Sequence, residues 1–415
     1  MNISKEDKSS LILLLTEVIP KCTAMSYGVV RVPGKWEGEV KSSLSDKFFQ
    51  QLSKNLDDGG LTSFLRRYIA ERIIMSGRGF PPKIERELNA VPISSYPEFS
   101  DALSAAREMV GFIEKLPLQY EIAIPIFHDV TDRFPDNLDL KISDRMRLES
   151  GVRVADRFET STGNEEIDRV YTSFNMSESY NTFLRDDIAY LTYRTSGYVS
   201  DLQKPKCFLD FYDDIRAFFG VCIAFGICDY MDFLSSKENV VIIGNSLGSE
   251  RVYAIGEIAE TDISEATNSF FEADEDELGT IEGVAEIFAP VVQLFNSPEV
   301  DRLRTASIWL LRSNLSSRGM DKILDASIAI EVLLGDRAAS DRIGLSKLMA
   351  NRCAYSLGKS SKARSEIYEF FMEFYRVRSE IVHSGRLGVS KEERNVVLKG
   401  VALASRILQH EIGMS

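Results

Sequence analysis

Arg378 and His383 are the residues whose types and spacing best fit a reaction centre. They lie five positions apart in Phe374-Tyr-Arg-Val-Arg-Ser-Glu-Ile-Val-His-Ser-Gly-Arg386, and His383 is one of three histidines in the chain. An imidazole can transfer protons near neutral pH, and a guanidinium can hold a phosphate through two parallel hydrogen bonds. The pair therefore predicts a site where a proton moves beside a bound anion.

The cysteines favour neither a metal site nor a disulfide framework. They number five and include no CxxC pair: Cys22, Cys207, Cys222, Cys228 and Cys353. An odd, scattered set is typical of reduced thiols. The cysteines therefore predict neither disulfides nor a zinc site, and we also expect the protein to use no metal ion and no cofactor.

A second motif with chemical potential is Gly244-Asn-Ser-Leu-Gly248, which follows the apolar run Val240–Ile243. This pattern matches the nucleophile elbow of serine hydrolases, in which a helix must follow the serine. Residues 251–258 instead predict another strand, so a hairpin turn is favoured. A serine hydrolase centred on Ser246 is the more distant alternative.

Five helices are predicted to position Arg378 and His383. Apolar spacing, with glycines at the expected helix ends, indicates a C-terminal helical bundle. Its helices are expected at about 301–315, 319–334, 344–357, 361–383 and 390–411.

Arg378 lies on the apolar stripe of its helix, within about 20° of Ile367. A charge on a buried face is costly unless it is paired. One interpretation is therefore an ion pair with Glu331, which lies in the apolar helix of residues 326–334. The other is that the stripe opens into a cleft that an anion enters.

His383 is about 140° around an ideal helix from Arg378, so the two side chains diverge. They converge if the helix ends near Val382, or if a second copy of the chain completes the site. A lone histidine at a helix C-terminus is more often a capping cation than a catalyst.

The preceding region predicts a mixture of helices and strands. Residues 5–76 are expected to be mostly helical, with further helices at 98–115 and 209–234. Strands are expected at 120–127, 138–142, 188–193, 240–243 and 251–255, and Pro125 predicts that the first lies at a sheet edge. The fold class is therefore an α+β N-terminal region followed by an all-α helical bundle.

Charge and length suggest a division of the chain. Its 415 residues carry a net charge of −14, yet residues 301–415 have 19 basic and 13 acidic side chains. We predict an α+β region at 1–280, an acidic linker at 281–300 and a helical domain at 301–415. A basic domain on an acidic body is a weak indication of a polyanionic partner.

The longest apolar run, residues 217–228, is shorter than the roughly 20 residues that cross a bilayer. The N-terminus also lacks the pattern of a secretory signal. We expect a soluble, cytoplasmic protein without a membrane partner.

Three ordered segments make the C-terminal region resemble the ApeA-like branch of the HEPN superfamily. They are Ile328-Ala-Ile-Glu-Val-Leu-Leu-Gly335, Leu345-Ser-Lys-Leu-Met-Ala-Asn-Arg-Cys-Ala354 and Phe374-Tyr-Arg-Val-Arg-Ser-Glu-Ile-Val-His-Ser-Gly385. The last resembles the family's signature of an arginine and a histidine four to six residues apart. The resemblance covers about residues 301–410.

The resemblance implies a metal-independent RNA endonuclease that acts as a homodimer in a toxin, anti-phage or abortive-infection system. Arg378 and His383 would be catalytic, with Glu331 and Ser379 in supporting roles. Ser379 departs from the Asn, Asp or His that many members carry there. Some members lack nuclease activity, so a binding or regulatory protein is the alternative. In the nuclease interpretation, the N-terminal region senses a phage-derived or cellular trigger or restrains the nuclease.

Overall fold

The computed structural model describes most of the chain, from Met1 to Met414. The described residues are 1–26, 29–56, 60–76, 80, 90–126, 134–157, 188–198, 206–229, 240–245, 252–257, 263, 270–271, 279–335, 344–384 and 388–414. Helices and sheets mix in the N-terminal region, and a helical region follows. This order of structural classes confirms the prediction.

The first part of the chain is helical around a small sheet. Its helices are α1 Lys5–Val18, α2 Trp36–Ser43, α3 Asp46–Asn55, α4 Gly60–Met75 and α5 Ala102–Glu114. Ser4 and Ser45 cap α1 and α3 by accepting from backbone N–H groups of the first turn. The strands are β1 Thr23–Ala24, β2 Val30–Arg31 and β3 Val91–Pro92, in the order β2-β1-β3. Two-residue strands give no alternating pattern, so the sequence predicted only helices there.

A six-stranded antiparallel sheet forms the centre of the N-terminal region. Its order is β10-β9-β4-β7-β6-β5. The strands are β4 Leu118–Ile126, β5 Asp139–Lys141, β6 Met146–Ser150, β7 Ala189–Gly197, β9 Val240–Asn245 and β10 Val252–Glu257; a separate pair is β8 Cys228–Asp229 and β11 Phe270–Phe271. A short helix, α6 Gly151–Arg157, follows β6.

The prediction that Pro125 marks a sheet edge is wrong, because β4 lies between β9 and β7. Pairing with β9 covers only Tyr120–Ala123, whereas pairing with β7 continues to Ile126. Pro125 is therefore paired on one side only. That local environment tolerates a residue without an N–H donor.

The buried helix predicted at 209–234 is confirmed as a buried helix, α7 Leu209–Ala224, but it ends ten residues earlier. Gly226 adopts a φ of +67°, which ends the helix. A Cβ atom on Gly220 would lie 2.1 Å from the carbonyl oxygen of Ser307, so only glycine permits this close crossing. Helix α7 thereby joins the N-terminal region to the C-terminal helices.

The prediction of an acidic linker at 281–300 is wrong, because this segment is largely helical. The segment forms helices α8 Ile281–Ile287 and α9 Ala289–Asn296. Apolar side chains of the two helices, and of Phe288 between them, recur at helical spacing and are fully buried: Val284, Phe288, Val291 and Leu294. The Asn296 amide also donates to the carbonyl of Ile142 at 2.9 Å. The preceding acidic block obscured this apolar pattern.

The C-terminal helices begin and end close to their predicted bounds. They are α10 Val300–Leu315, α11 Gly319–Leu334, α12 Leu345–Leu357, α13 Ser361–Ser384 and α14 Lys391–Met414. Phe374 of α13 packs so closely on α14 that a Cβ on Gly400 would lie 2.2 Å from its ring. Among the described residues, none of these helices is long and apolar enough to cross a membrane.

Candidate functional site

Arg378 lies at the contact between α13 and α11. Its Nη2 atom is 3.4 Å from Glu331 Oε1, and the two side chains are 22% and 26% exposed. Its Nε donates to the hydroxyl of Ser327 at 3.4 Å. Ser327 is buried and lies one turn before Glu331 on the same helix. The predicted Arg378–Glu331 ion pair is therefore present.

Tyr375, one turn before Arg378, completes this cluster. Its hydroxyl donates to Glu331 Oε1 at 3.3 Å, and the Arg378 guanidinium lies 5.4 Å from its ring centroid. Burial raises the pKa of Tyr375, and the Glu331 carboxylate raises it further, so the phenol is a neutral donor. Glu331 thus holds two side chains of α13 against α11.

The guanidinium retains donors for an anion. Its contacts use Nε and Nη2, and Nη1 has no hydrogen-bond or ion-pair partner among the described residues. Because an arginine presents five donors in a planar fork, one edge can face Glu331 while another meets a phosphate. The ion pair and an anion-binding role are chemically compatible.

His383 lies in the last turn of α13 and is exposed. The helix contains both positions and continues to Ser384, one residue beyond its predicted bound of 383, so the alternative in which it ends at Val382 does not apply. Positions 378 and 383 are therefore about 140° apart around the helix and about 7.5 Å apart along it. The helix of one chain does not present the two positions on one face.

Ser379 and Arg376 are the other polar residues of interest at this end of α13. Ser379 is half-buried and, among the described residues, has no hydrogen-bond partner for its hydroxyl. Arg376 pairs with Glu380 at 2.5 Å on the exposed face. Within the described ranges, no hydrogen bond of the Ser379 side chain positions Arg378 or His383.

The part of the chain that the structure describes around this motif does not resemble a nucleophile elbow. Strand β9 pairs antiparallel with β10, which confirms the predicted hairpin. Ser246 itself lies outside the described residues, but the next described element after β9 is a strand rather than the helix that a nucleophile elbow requires. No group of three or more His, Cys, Asp or Glu side chains within the described ranges is arranged to hold a metal ion.

Comparisons with known proteins add no relative. No family model, no curated protein and no solved structure matches the chain. The resemblance to the HEPN superfamily therefore rests on the three sequence segments.

Tyr375 and Ser327 are the site residues that sequence reasoning missed. Tyr375 precedes Arg378 by three positions and Ser327 precedes Glu331 by four, and both spacings place side chains on one helix face. Neighbours of a predicted ion pair at these spacings are the signal that would have found them.

Proposed function

We propose that the C-terminal region is a HEPN-like, metal-independent RNA endonuclease with Arg378 and His383 as its catalytic residues. The observation that carries the proposal is the contact between two of the three resembling segments. Glu331 of residues 328–335 and Arg378 of residues 374–385 form an ion pair, although 47 positions separate them in sequence. The match is therefore consistent with one assembled unit rather than with isolated short motifs.

The proposed reaction uses the nucleophile that RNA carries itself. The 2′-hydroxyl attacks the adjacent phosphorus, its proton passes to a base, and the bond to the 5′-oxygen breaks as that oxygen accepts a proton. The products end in a 2′,3′-cyclic phosphate and a 5′-hydroxyl. His383 transfers one of these protons, and Arg378 stabilises the negative charge that develops on the phosphate.

A homodimer follows from this chemistry. One chain offers one histidine at the site, whereas the reaction involves two proton transfers. Positions 378 and 383 also lie on different faces of α13. A twofold contact at the end of α13 brings the same residues from two chains together, because such an interface uses one surface patch twice. Arg378 of one chain then works beside His383 of the other.

The N-terminal region is proposed to sense a phage-derived or cellular trigger and to restrain the nuclease, as in anti-phage, abortive-infection or toxin systems. The side-chain contacts between the regions support such a link. Arg304 of α10 pairs at 3.0 Å with Asp214 of α7, and Asp214 also accepts from Tyr193 of β7 at 2.8 Å. A change in the sheet therefore has a direct path to the helices. The proposed compartment is the cytoplasm.

A catalytically silent HEPN-like binding protein is the second candidate. The observation that favours it is the ion pair itself, because Glu331 already engages Arg378 while His383 lies on another face. In that case Arg378 stabilises the packing of α13 on α11, and His383 is a solvent-exposed cation near the helix C-terminus.

Incubation of the purified full-length protein with total RNA in EDTA separates these candidates. The matched control is His410, the other histidine of the helical region, on α14. We expect cyclic-phosphate products from the wild type and from His410→Ala, and a rate lower by about 10²- to 10⁴-fold for His383→Ala. Equal cleavage by both variants would contradict the mechanism. Absence of cleavage by wild type with and without infected-cell extract would favour the silent candidate.

Subunit mixing tests the shared site. An excess of His383→Ala chains is mixed with wild type under conditions where exchange is demonstrated by labelled subunits. A shared site predicts that activity falls faster than the wild-type fraction. Strictly proportional loss, or full activity from a monomer in light scattering, would rule the shared site out.

A further inference from the structure

Residues 344–365 form an unusually basic stretch on this acidic protein. They contain Lys347, Arg352, Lys359, Lys362 and Arg364 and no acidic residue, whereas the whole chain has a net charge of −14. All of these residues lie within the described range 344–384. The stretch runs from α12 through the first turn of α13, so its cations lie along α12 and around the connection between the two helices.

The exposed face of α12 carries part of this charge in a regular row. Lys347, Asn351 and Tyr355 recur every four residues and are all exposed, which places them about 40° apart on adjacent turns. Lys359 continues the spacing just after the helix ends. The opposite face packs in the core through Met349, Ala350 and Cys353. The row is therefore a fixed surface of a packed helix.

Tyr355 distinguishes this row from an ordinary solvated face. It is 68% exposed and is the only aromatic side chain among the exposed large apolar residues in the described part of the chain. The guanidinium of Arg364 lies 4.8 Å from its ring centroid. The Nε of Arg364 donates to the carbonyl of Gly358 at 3.0 Å, which fixes the arginine in place. The Tyr355 ring is therefore positioned by Arg364, while most of the tyrosine side chain remains accessible to solvent.

The remaining cations differ in how free they are. Lys362 lies 3.9 Å from Glu366, and both side chains are largely exposed, so this pair is weak. Arg352 is directed elsewhere, since its Nη1 donates to the carbonyl of Leu334 at 2.8 Å. The charges available to a ligand are therefore those of Lys347, Lys359, Lys362 and Arg364.

We propose that Tyr355, with Lys347, Lys359, Lys362 and Arg364, forms a binding surface for single-stranded RNA. An accessible aromatic ring stacks on a base of any sequence, and a row of cations follows the phosphates. An acidic protein segment would satisfy the cations but gains less from the ring. The choice of RNA rests on the proposed nuclease function, and the surface would hold substrate beyond the reaction centre.

The distance between this surface and His383 sets a minimum length for an RNA strand that contacts both. Arg364 and His383 lie 19 positions apart on α13, which corresponds to about 28 Å along the axis. At about 3.4 Å for each nucleotide of a stacked strand, roughly eight nucleotides span that distance. Within one chain, a stacked RNA strand shorter than this cannot extend from Arg364 to His383.

Fluorescence anisotropy of a labelled, unstructured 20-nucleotide RNA tests the surface. The full-length His383→Ala protein is used as background so that no substrate is cut. Tyr355→Ala is expected to weaken binding about tenfold, since stacking contributes about 1–3 kcal/mol per base, whereas Tyr355→Phe retains it. Lys359→Gln with Lys362→Gln is expected to reduce the slope of log affinity against log salt by about 1.4. The matched control, Lys21→Gln with Lys54→Gln in the N-terminal region, is expected to leave the slope unchanged.

Each outcome decides the proposal. Unchanged binding by Tyr355→Ala, or failure of the His383→Ala protein to bind RNA, overturns it. Binding of polyglutamate in preference to RNA assigns the surface to an acidic protein and also overturns it. Tyr355-dependent RNA binding without cleavage by wild type supports the surface and contradicts the nuclease. Where wild type cuts RNA, Tyr355→Ala is expected to raise KM for a 20-nucleotide substrate and to leave a four-nucleotide substrate unaffected.

Discussion

The Arg378–Glu331 pair allows a quantitative prediction of how much the site contributes to stability. At 3.4 Å, and with an effective dielectric constant near 20, the attraction of the two charges is about 5 kcal/mol. Most of it is offset by the desolvation of both groups, yet about a quarter of each side chain remains in water. We therefore expect a coupling energy of about 1–2 kcal/mol, between that of surface pairs and that of fully buried pairs.

A double-mutant cycle measures this coupling. Arg378→Met should lower the free energy of unfolding by more than the coupling energy of the ion pair. The reason is that it also removes the contact with the Tyr375 ring, which contributes about 0.5–1 kcal/mol. Glu331→Leu should lower the free energy of unfolding less in the Arg378→Met protein than in the wild type, because the double variant leaves no unpaired charge at the helix contact. The assay is urea unfolding at pH 7, with unchanged denaturant slopes as the condition for comparing the four proteins.

The result that would refute the reasoning is a coupling energy below about 0.3 kcal/mol, the level at which independent sites add. Activity gives a separate measurement on the same proteins. Recovered stability without recovered RNA cleavage in the double variant would indicate an arginine with both roles. Arg378→Lys is the matched charge control, since an ammonium keeps the ion pair but loses the planar fork. We expect it to retain most of the stability and to lose most of the proposed RNA cleavage.

Two further perturbations test the fold away from the site. Gly220→Ala should destabilise the protein by about 3 kcal/mol, because its Cβ would meet the Ser307 carbonyl at 2.1 Å. The matched control Gly111→Ala on α5 meets nothing within 4 Å and should stabilise by about 0.5–1 kcal/mol in the same urea assay; equal effects would refute the close crossing. The backbone N–H of Ser45, followed by the hydroxyls of Ser4 and Ser45, lowers the pKa of Asp7, although desolvation opposes this shift. This contribution to stability should be present above the ordinary pKa of an aspartate and be lost as the pH falls through the lowered pKa of Asp7. The difference in free energy of unfolding between wild type and Asp7→Asn should therefore shrink in acid. A difference that stays constant from pH 7 to pH 2 would contradict this reasoning.

The C-terminal helices were predictable because each carries a long apolar stripe that identifies it locally. The bounds of α11, Gly319–Leu334, match the prediction, and those of α13 differ by one residue. Helices α8 and α9 were missed because acidic residues dominate the composition just before them. Strand β6 was missed because it has few residues and is largely buried on both faces. Such a segment lacks the alternation that identifies a half-exposed strand.

The site was predictable to the extent that it obeys a rule of burial. A charge on an apolar stripe requires a partner, and Glu331 was the acid in the neighbouring apolar helix. Tyr375 and Ser327 were not predicted, because neutral groups carry no such requirement. The relation of His383 to Arg378 depended on whether the helix stopped at Val382 or continued, and a difference of two residues at a helix end is within the usual uncertainty of its bounds.

The contacts of α7 show how the stability of the C-terminal helices depends on the N-terminal region. Burial raises the pKa of Tyr193, and the nearby Asp214 carboxylate raises it further, so a neutral phenol donates to Asp214 while Arg304 pairs with the same carboxylate. At the far end of α7, the amide of Gln409 donates to the carbonyl of Ala224 at 2.6 Å. A division of the chain near residue 300 would leave Asp214 without its cation and expose the apolar face of α10 that α7 covers. The helical region is therefore stabilised by an element of the N-terminal region, and a displacement of α7 would act directly on the helices that carry Arg304 and Gln409.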